Sequence, residues 1–225
     1  KFISNKNNFL FDIRGKEYLQ ALKFLDKRIK ILDVGCGTGT FLEFMRSNNV
    51  NDVEGIDLNP DNVIFAQNRG LKVSEASALD LPFEDNCFDA VYSSHLMQVF
   101  NPNDAQKFIQ ECSRVLRNEG LLIISTLNWF KHFYRHPENE RPYPPDAILR
   151  YSYSQEESTS PMYEGMPNLV QEDIWYRRPP LIELHPGKSK FFNKVFIVVN
   201  HLQLKLRIIK FWAFDSYIIK LRVEK

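Results

Sequence analysis

Two acids and the glycines between them are the residues of this chain whose types and spacing point most directly to chemistry. Asp33 stands in a short apolar run, Ile31-Leu32-Asp33-Val34, which breaks at once into three alternating glycines, Gly35, Gly37 and Gly39. Asp57 closes a second run, Val53-Glu54-Gly55-Ile56-Asp57. Glycine is required where the backbone takes a positive φ or lies against a ligand with no side chain between them. A carboxylate inside an apolar strand is expensive unless something pairs with it. The bland alternatives are a tight turn for the glycines, an acid capping nearby amides for Asp33, and an ordinary helix N-cap for Asp57. Three glycines in alternation after a buried strand favour a turn that touches a cofactor.

Those residues need a scaffold, and the flanking sequence supplies one. Phe41, Leu42, Phe44 and Met45 continue from the glycines at helical spacing, so Ile31–Met45 reads as buried strand, glycine turn, helix. Leu58-Asn59-Pro60 leads from Asp57 into another helix, and Leu71-Lys72-Val73 is a third strand. Cys87 to Ser94 is a fourth, Phe108 to Leu116 a helix capped by Gly120, and Leu121 to Thr126 a fifth strand, apolar almost throughout. Strands that alternate with helices and show little internal alternation predict an α/β fold with a parallel sheet covered on both faces.

In its order of segments the chain resembles the class I S-adenosylmethionine-dependent methyltransferases, in particular the branch with a D-L-P-F segment (the methyltransferase type 11-like branch). The resemblance runs from Ile31 to Thr126 through LDVGCGTG, VEGIDLNP, LDLPFEDNCFDAVYSS and RVLRNEGLLIIST. A dinucleotide site also uses a glycine turn and a downstream acid, but its fingerprint wants Gly or Ala where this chain has Thr40. The resemblance implies a Rossmann-like, doubly wound sheet of seven mostly parallel strands that ends in an antiparallel hairpin. It implies S-adenosylmethionine as cofactor and S-adenosylhomocysteine as product. It implies Asp33 and the three glycines near the methionine end of the cofactor, Asp57 on the ribose hydroxyls, and Leu58 packed on the adenine. Family members usually place an Asp on the adenine amino group. Here alignment on Asp80-Leu81-Pro82-Phe83 puts Ser77 there, followed by Ala78 and Leu79. A serine offers a neutral, shorter contact, so the Ala78 backbone is expected to take more of the adenine. Asp80 is given a structural role before the Leu81-Pro82 turn.

Methyl transfer asks mainly for in-line positioning in a dry pocket, with a base added when the acceptor is a hydroxyl. Ser93 and Ser94 close the fourth strand on the ligand side of the sheet, and His95 follows them, as catalytic candidate or as a packing and hydrogen-bonding residue. His132 is the second candidate, with His136 and His185 as further alternatives. In the N-terminal region 1–30, Glu17–Leu25 has the spacing of a helix capping the cofactor pocket, and Arg14 and Tyr18 could reach the methionine carboxylate; the bland reading of Arg14 is a surface arginine.

Residues 127–187 depart from the common core, being rich in aromatics and prolines. They read as a lid over the acceptor pocket, with an extra subdomain or a dimer contact as the alternative. The single domain therefore divides into the cap region 1–30, a cofactor core 31–126, the insertion 127–187, and a last helix and strand hairpin in 188–225. In that last region Phe191–Leu202 has helical spacing, while Leu204–Phe214 and Tyr217–Val223 supply the two strands. Residues 188–225 hold nine Lys or Arg against Asp215 and Glu224, a solvated edge or a mark of an anionic partner.

The net charge of +1 gives no overall electrostatic case for nucleic acid. No apolar run reaches membrane-span length and no signal-peptide pattern stands at Lys1-Phe2-Ile3. Cys36, Cys87 and Cys112 are scattered, form no zinc pattern, and suggest a reducing, cytoplasmic setting. No clustered carboxylates call for a metal. The expected activity is methyl transfer to an oxygen or nitrogen of a small molecule. RNA or protein methylation is the alternative, together with a non-catalytic cofactor-binding or partner-binding protein, towards which only Ser77 points.

Overall fold

Strands buried on both faces set the architecture. β1 (Ile31–Val34) is buried at every position, and β4 (Phe88–Ser94) at five of its seven. The computed structural model describes residues 9–25, 30–127, 137–151, 166–177 and 216–225. Its remaining strands are β2 (Val53–Asp57), β3 (Val73–Glu75), β5 (Leu116–Leu127), β6 (Asn168–Arg177) and β7 (Ser216–Glu224). They form one seven-stranded sheet in the order β3-β2-β1-β4-β5-β7-β6. The first five run parallel, and β7 is antiparallel to both β5 and β6. This is the expected doubly wound sheet with its antiparallel end.

Period-2 alternation sends successive side chains of each strand to opposite layers. Ile31, Ala90, Tyr92, Ile123 and Ile218 meet α1 (Phe9–Phe24), α2 (Thr40–Ser47) and α3 (Pro60–Asn68). Leu32, Val91, Leu122, Ile124 and Ile219 meet α4 (Pro102–Val115) and α5 (Pro145–Leu149). Asp33, paired in register with Tyr92, therefore points to the α1 layer. The helices start where caps and prolines dictate. Asn59 accepts from the Asp61 amide at 2.9 Å and precedes Pro60; Asn101 accepts from Asn103 and Asp104 and precedes Pro102. Asn59, not Asp57, caps α3, which leaves Asp57 for other work.

Three expectations need correction. Gly120 does not cap α4; that helix ends at Val115 and β5 begins directly at Leu116. Gly120 lies where the β4–β5 register shifts between Phe88–Leu116 and Ala90–Leu121, and the backbone at Glu119 is left-handed, so extra residues are accommodated inside the strand. The third strand is Val73–Glu75, two residues beyond its expected start. The partner of β7 is Asn168–Arg177, inside the segment expected as an insertion, rather than Leu204–Phe214. Leu204–Phe214 and the helix expected over Phe191–Leu202 lie outside the described residues.

The D-L-P-F turn is held from α4. Arg114 donates to the Phe83 and Leu81 carbonyls at 2.8 and 2.9 Å and grips Glu111 through two nitrogens at 2.9 and 2.8 Å. Glu111 in turn accepts from the Leu81 amide at 2.8 Å. Asp80, given the structural role in this turn from sequence, is exposed and closes only a bond from its own amide to the Ser77 carbonyl. Arg114→Met is expected to cost about 2–4 kcal/mol in urea unfolding, since several charge-assisted bonds go and Glu111 loses its counter-charge. Arg114 is also the first cause of the lowered Glu111 carboxyl pKa. The pair's contribution is thus present above the ordinary glutamate range and is lost as pH falls through the lowered value.

Candidate active site

The C-terminal ends of β1, β2 and β4 carry the residues singled out from sequence, on the side of an open α/β sheet where ligands bind. Asp57 is drawn into the glycine turn. Its Oδ2 accepts from the Gly37 amide at 2.7 Å, and its Oδ1 accepts from the Asn59 amide and the Asn62 side chain, each at 3.0 Å. An ionised carboxylate offers about four acceptor positions, so among the described residues one position, on Oδ2, takes no donor. A ligand that takes two hydroxyl contacts must displace one donor, and Asn62 is the side chain among the three. Asn62 was missed from sequence; its place five residues after Asp57, on the first turn of α3, was the available signal.

Gly37 and Gly39 play different parts, both with left-handed backbone. Gly37 has φ 54°, and among the described residues beyond its chain neighbours a Cβ there would meet nothing within 4 Å. Gly39, the N-cap of α2, has φ 81°, and a Cβ there would stand 2.5 Å from Leu71. Gly35, in the same turn, donates its amide to the Ile56 carbonyl at 2.9 Å. Both Gly37→Ala and Gly39→Ala are expected to cost about 1–2 kcal/mol for the left-handed conformation. Gly39→Ala adds the clash with Leu71 and lowers the melting temperature further. Gly37→Ala puts its methyl into open space on the ligand side, so cofactor binding measured by calorimetry falls out of proportion to the change in stability.

Asp33 is buried, and among the described residues no donor reaches its carboxylate. Burial, and then the charge of Asp57, pushes its pKa well above the ordinary aspartate range. A buried acid of this kind becomes a carboxylate when a cation is placed beside it. Tyr18 lies close by with its hydroxyl pKa pushed up to about 12, by burial first and then by Asp33, while Arg14 stands against the same hydroxyl. An acid, a phenol and a guanidinium therefore gather at one end of the glycine turn. They suit a group that carries both an ammonium and a carboxylate.

At the other end Leu58 is 72 % exposed, an apolar side chain open to a flat ring. Ser77, Ala78 and Leu79 are half-buried beside it in sequence order after β3. The Ser77 hydroxyl accepts from the Leu79 amide at 3.1 Å, which shapes its own turn and leaves its O–H free to donate. Ser93 faces inward; its hydroxyl donates to the Val34 carbonyl at 2.9 Å and ties β4 to β1.

His95 follows β4 with φ 56°, a left-handed conformation uncommon outside glycine, and its amide donates to the Ser125 carbonyl at 2.8 Å. Its Nε2 lies 3.3 Å from Oε2 of Glu17, a fully buried residue of α1 that sequence reading passed over. His132, His136 and His185 lie outside the described residues. Part of the aromatic segment is packed inside the protein. Tyr143 is buried and donates to the Phe100 carbonyl at 2.9 Å, and Glu140 donates its amide to the Gln98 carbonyl. Gln98 accepts from Thr126 at 2.9 Å. Among the described residues no group of His, Cys, Asp or Glu has metal-binding arrangement, and the three cysteines are free thiols.

With that geometry in view, the comparisons with known proteins agree among themselves. Residues 32–124 match the family described as "Methyltransferase domain". The chain is 32% identical over 124 residues to the probable tRNA methyltransferase 9B of Mus musculus, covering 53% of this chain and 27% of that protein. It is 37% identical over 102 residues to the fatty-acid O-methyltransferase of Mycolicibacterium smegmatis, covering 42% of this chain and 35% of that protein. The chain thus spans about a quarter to a third of the length of these curated relatives. A solved structure of a SAM-dependent methyltransferase from Archaeoglobus fulgidus superposes with a TM-score of 0.65 at 22% identity, covering 96% of this chain and all of the other, a likeness of fold.

Proposed function

We propose that this chain, whose residues 32–124 match a methyltransferase domain, is a class I S-adenosylmethionine-dependent methyltransferase that transfers a methyl group to an oxygen or nitrogen of a small molecule. The observation that carries the reading is the Asp57 carboxylate, bonded to the Gly37 amide and keeping one acceptor position without a donor among the described residues. S-adenosylmethionine fits the residues present. Asp57 receives the ribose hydroxyls, with Asn62 yielding its place. Leu58 lies on the adenine, with Ser77, Ala78 and Leu79 along its edge. Asp33 faces the ammonium, Arg14 and Tyr18 the carboxylate, and Gly35, Gly37 and Gly39 let the backbone approach. When bound, the cofactor supplies a methyl group on a positively charged sulfur. The protein's part is to hold the acceptor in line with it, exclude water, and accept a proton where the acceptor is a hydroxyl.

Within the 127–187 segment, residues 137–151, which precede β6, act in this reading as part of the cover of the acceptor side. Support comes from Glu140 and Tyr143, whose bonds to Gln98 and Phe100 bring the segment against the turn that follows His95. A cover with many aromatic rings suits a flat or apolar acceptor.

The relative named as a tRNA methyltransferase gives an RNA acceptor a specific claim. Against it stand the cations at the described end of the basic C-terminal region. Lys220 pairs with Glu172 at 2.7 Å, Arg222 with Glu119 and Glu172 at 2.7 and 3.0 Å, and Lys225 donates to the Leu116 carbonyl. Among the described residues no helix is long and apolar enough to cross a membrane. Incubation with methyl-labelled S-adenosylmethionine separates the readings, using phenols, fatty acids and amines beside total tRNA. Label on a small acceptor is the expected result; label on tRNA alone would replace it with the RNA reading.

A further inference from the structure

Alternation brings a row of polar side chains to one face of the sheet beneath α1. Tyr92 and Ile123 share the α1 layer, so Ser94 and Ser125, each two residues further on, face the same way, as does Ser216, two residues before Ile218. Apart from Asp33 the sheet side of this layer is largely apolar, which makes the strip of hydroxyls costly to bury without a purpose. Glu17 reaches into it from the helix. It is fully buried; its Oε1 accepts from the Ser216 hydroxyl at 3.0 Å and its Oε2 faces His95 Nε2 at 3.3 Å. The buried Tyr92 hydroxyl, beside Ser94, has no partner at hydrogen-bond geometry, and burial together with Glu17 keeps it protonated.

We infer that Glu17 is a positioning residue that fixes His95 as a general base acting through Nδ1. The inference deepens the methyltransferase reading and rests on it. An ionised Glu17 only accepts, so the ring that faces it carries its proton on Nε2, and the lone pair is left on Nδ1. The left-handed backbone of His95, secured by the hydrogen bond its amide donates to the Ser125 carbonyl, is strain of the kind retained where geometry matters to function. Nδ1 takes the proton of the acceptor's O–H as the oxygen lone pair forms the new bond to the methyl carbon. The electron pair of the broken carbon–sulfur bond stays on sulfur. The imidazolium so formed is balanced by Glu17 and later releases its proton to solvent. A buried acid that orients a histidine and stabilises its cation is the division of labour known from catalytic triads, here assembled from α1, the end of β4 and the start of β7.

The test is nitrogen NMR on the chain labelled in histidine, with the His95 signal assigned by its loss in His95→Asn, and S-adenosylhomocysteine added to each sample. The wild type is expected to show His95 as the Nε2–H form. Glu17→Leu, and Glu17→Gln should the leucine variant not fold, is expected to lose that single form to a mixture of the two tautomers. Binding of S-adenosylhomocysteine stays unchanged. A wild-type His95 protonated on Nδ1, or an Nε2–H form that persists in both Glu17 variants, overturns the inference. A folded wild type that binds no S-adenosylhomocysteine overturns instead the methyltransferase reading beneath it, and the base with it.

Discussion

Asp57→Ala is expected to weaken binding of S-adenosylhomocysteine by about a hundredfold, because two charge-assisted hydrogen bonds at about 1.5 kcal/mol each are lost. The same change strands the Gly37 amide, whose acceptor is Asp57 Oδ2 at 2.7 Å. Stability should therefore fall too, by about 1–3 kcal/mol for a donor left without a partner. Two calorimetric quantities, binding heat and melting temperature, must be read together. Asn62→Ala provides the control. It removes a donor at 3.0 Å from Oδ1 while the carboxylate stays. Because that donor competes with the ribose for the same lone pair, binding should hold or tighten. An Asn62→Ala variant that binds as poorly as Asp57→Ala would mean that the amide, not the acid, carries the ribose.

Asp33→Asn should move binding and stability in opposite directions. The Asp33 carboxyl is buried and its pKa is raised, by burial first and by Asp57 second. A group whose folded pKa lies above its unfolded value stabilises fully below the unfolded pKa and loses that contribution as pH rises through the folded one. Near neutral pH the acid is thus a burden on the free protein that the amide removes. An increase in melting temperature of about 2–4 °C is expected for each kcal/mol relieved. Cofactor affinity should fall by about tenfold or more, since a cation next to a buried carboxylate is worth at least about 1.4 kcal/mol. In the wild type the cation drives off the proton, so affinity rises with pH up to the raised pKa. Titrations in buffers of different ionisation heat should show proton release. Asp33→Asn should show neither the pH slope nor the proton.

The part of this site legible in sequence is the part made by near neighbours. Asp33, Gly35, Gly37 and Gly39 occupy one strand–turn–helix, and Asp57 ends the next strand. Period and turn chemistry were enough to bring them to one edge of the sheet. Arg114 and Glu17 escaped because their partners are distant along the chain. The Glu17–Ser216 bond spans 199 residues and the Glu17–His95 contact 78. An acid on a surface helix gives no sign in the sequence that it turns inward. β6 escaped for a different reason. Its sequence, Asn-Leu-Val-Gln-Glu-Asp-Ile-Trp-Tyr-Arg, carries adjacent charges, and the register shift between Gln171 and Asp173 breaks the alternation that marks a strand. The apolar stretch Leu204–Phe214, which lies outside the described residues, matches a strand pattern better than the edge strand itself does. Gly120 misled in a similar way, being a helix stop by type but a strand irregularity in fact.

Titration of S-adenosylhomocysteine into the wild-type chain at neutral pH tests the central claim most directly. The account predicts one site of micromolar affinity. Heats no larger than dilution, from a chain that melts cooperatively in the same buffer, would contradict it.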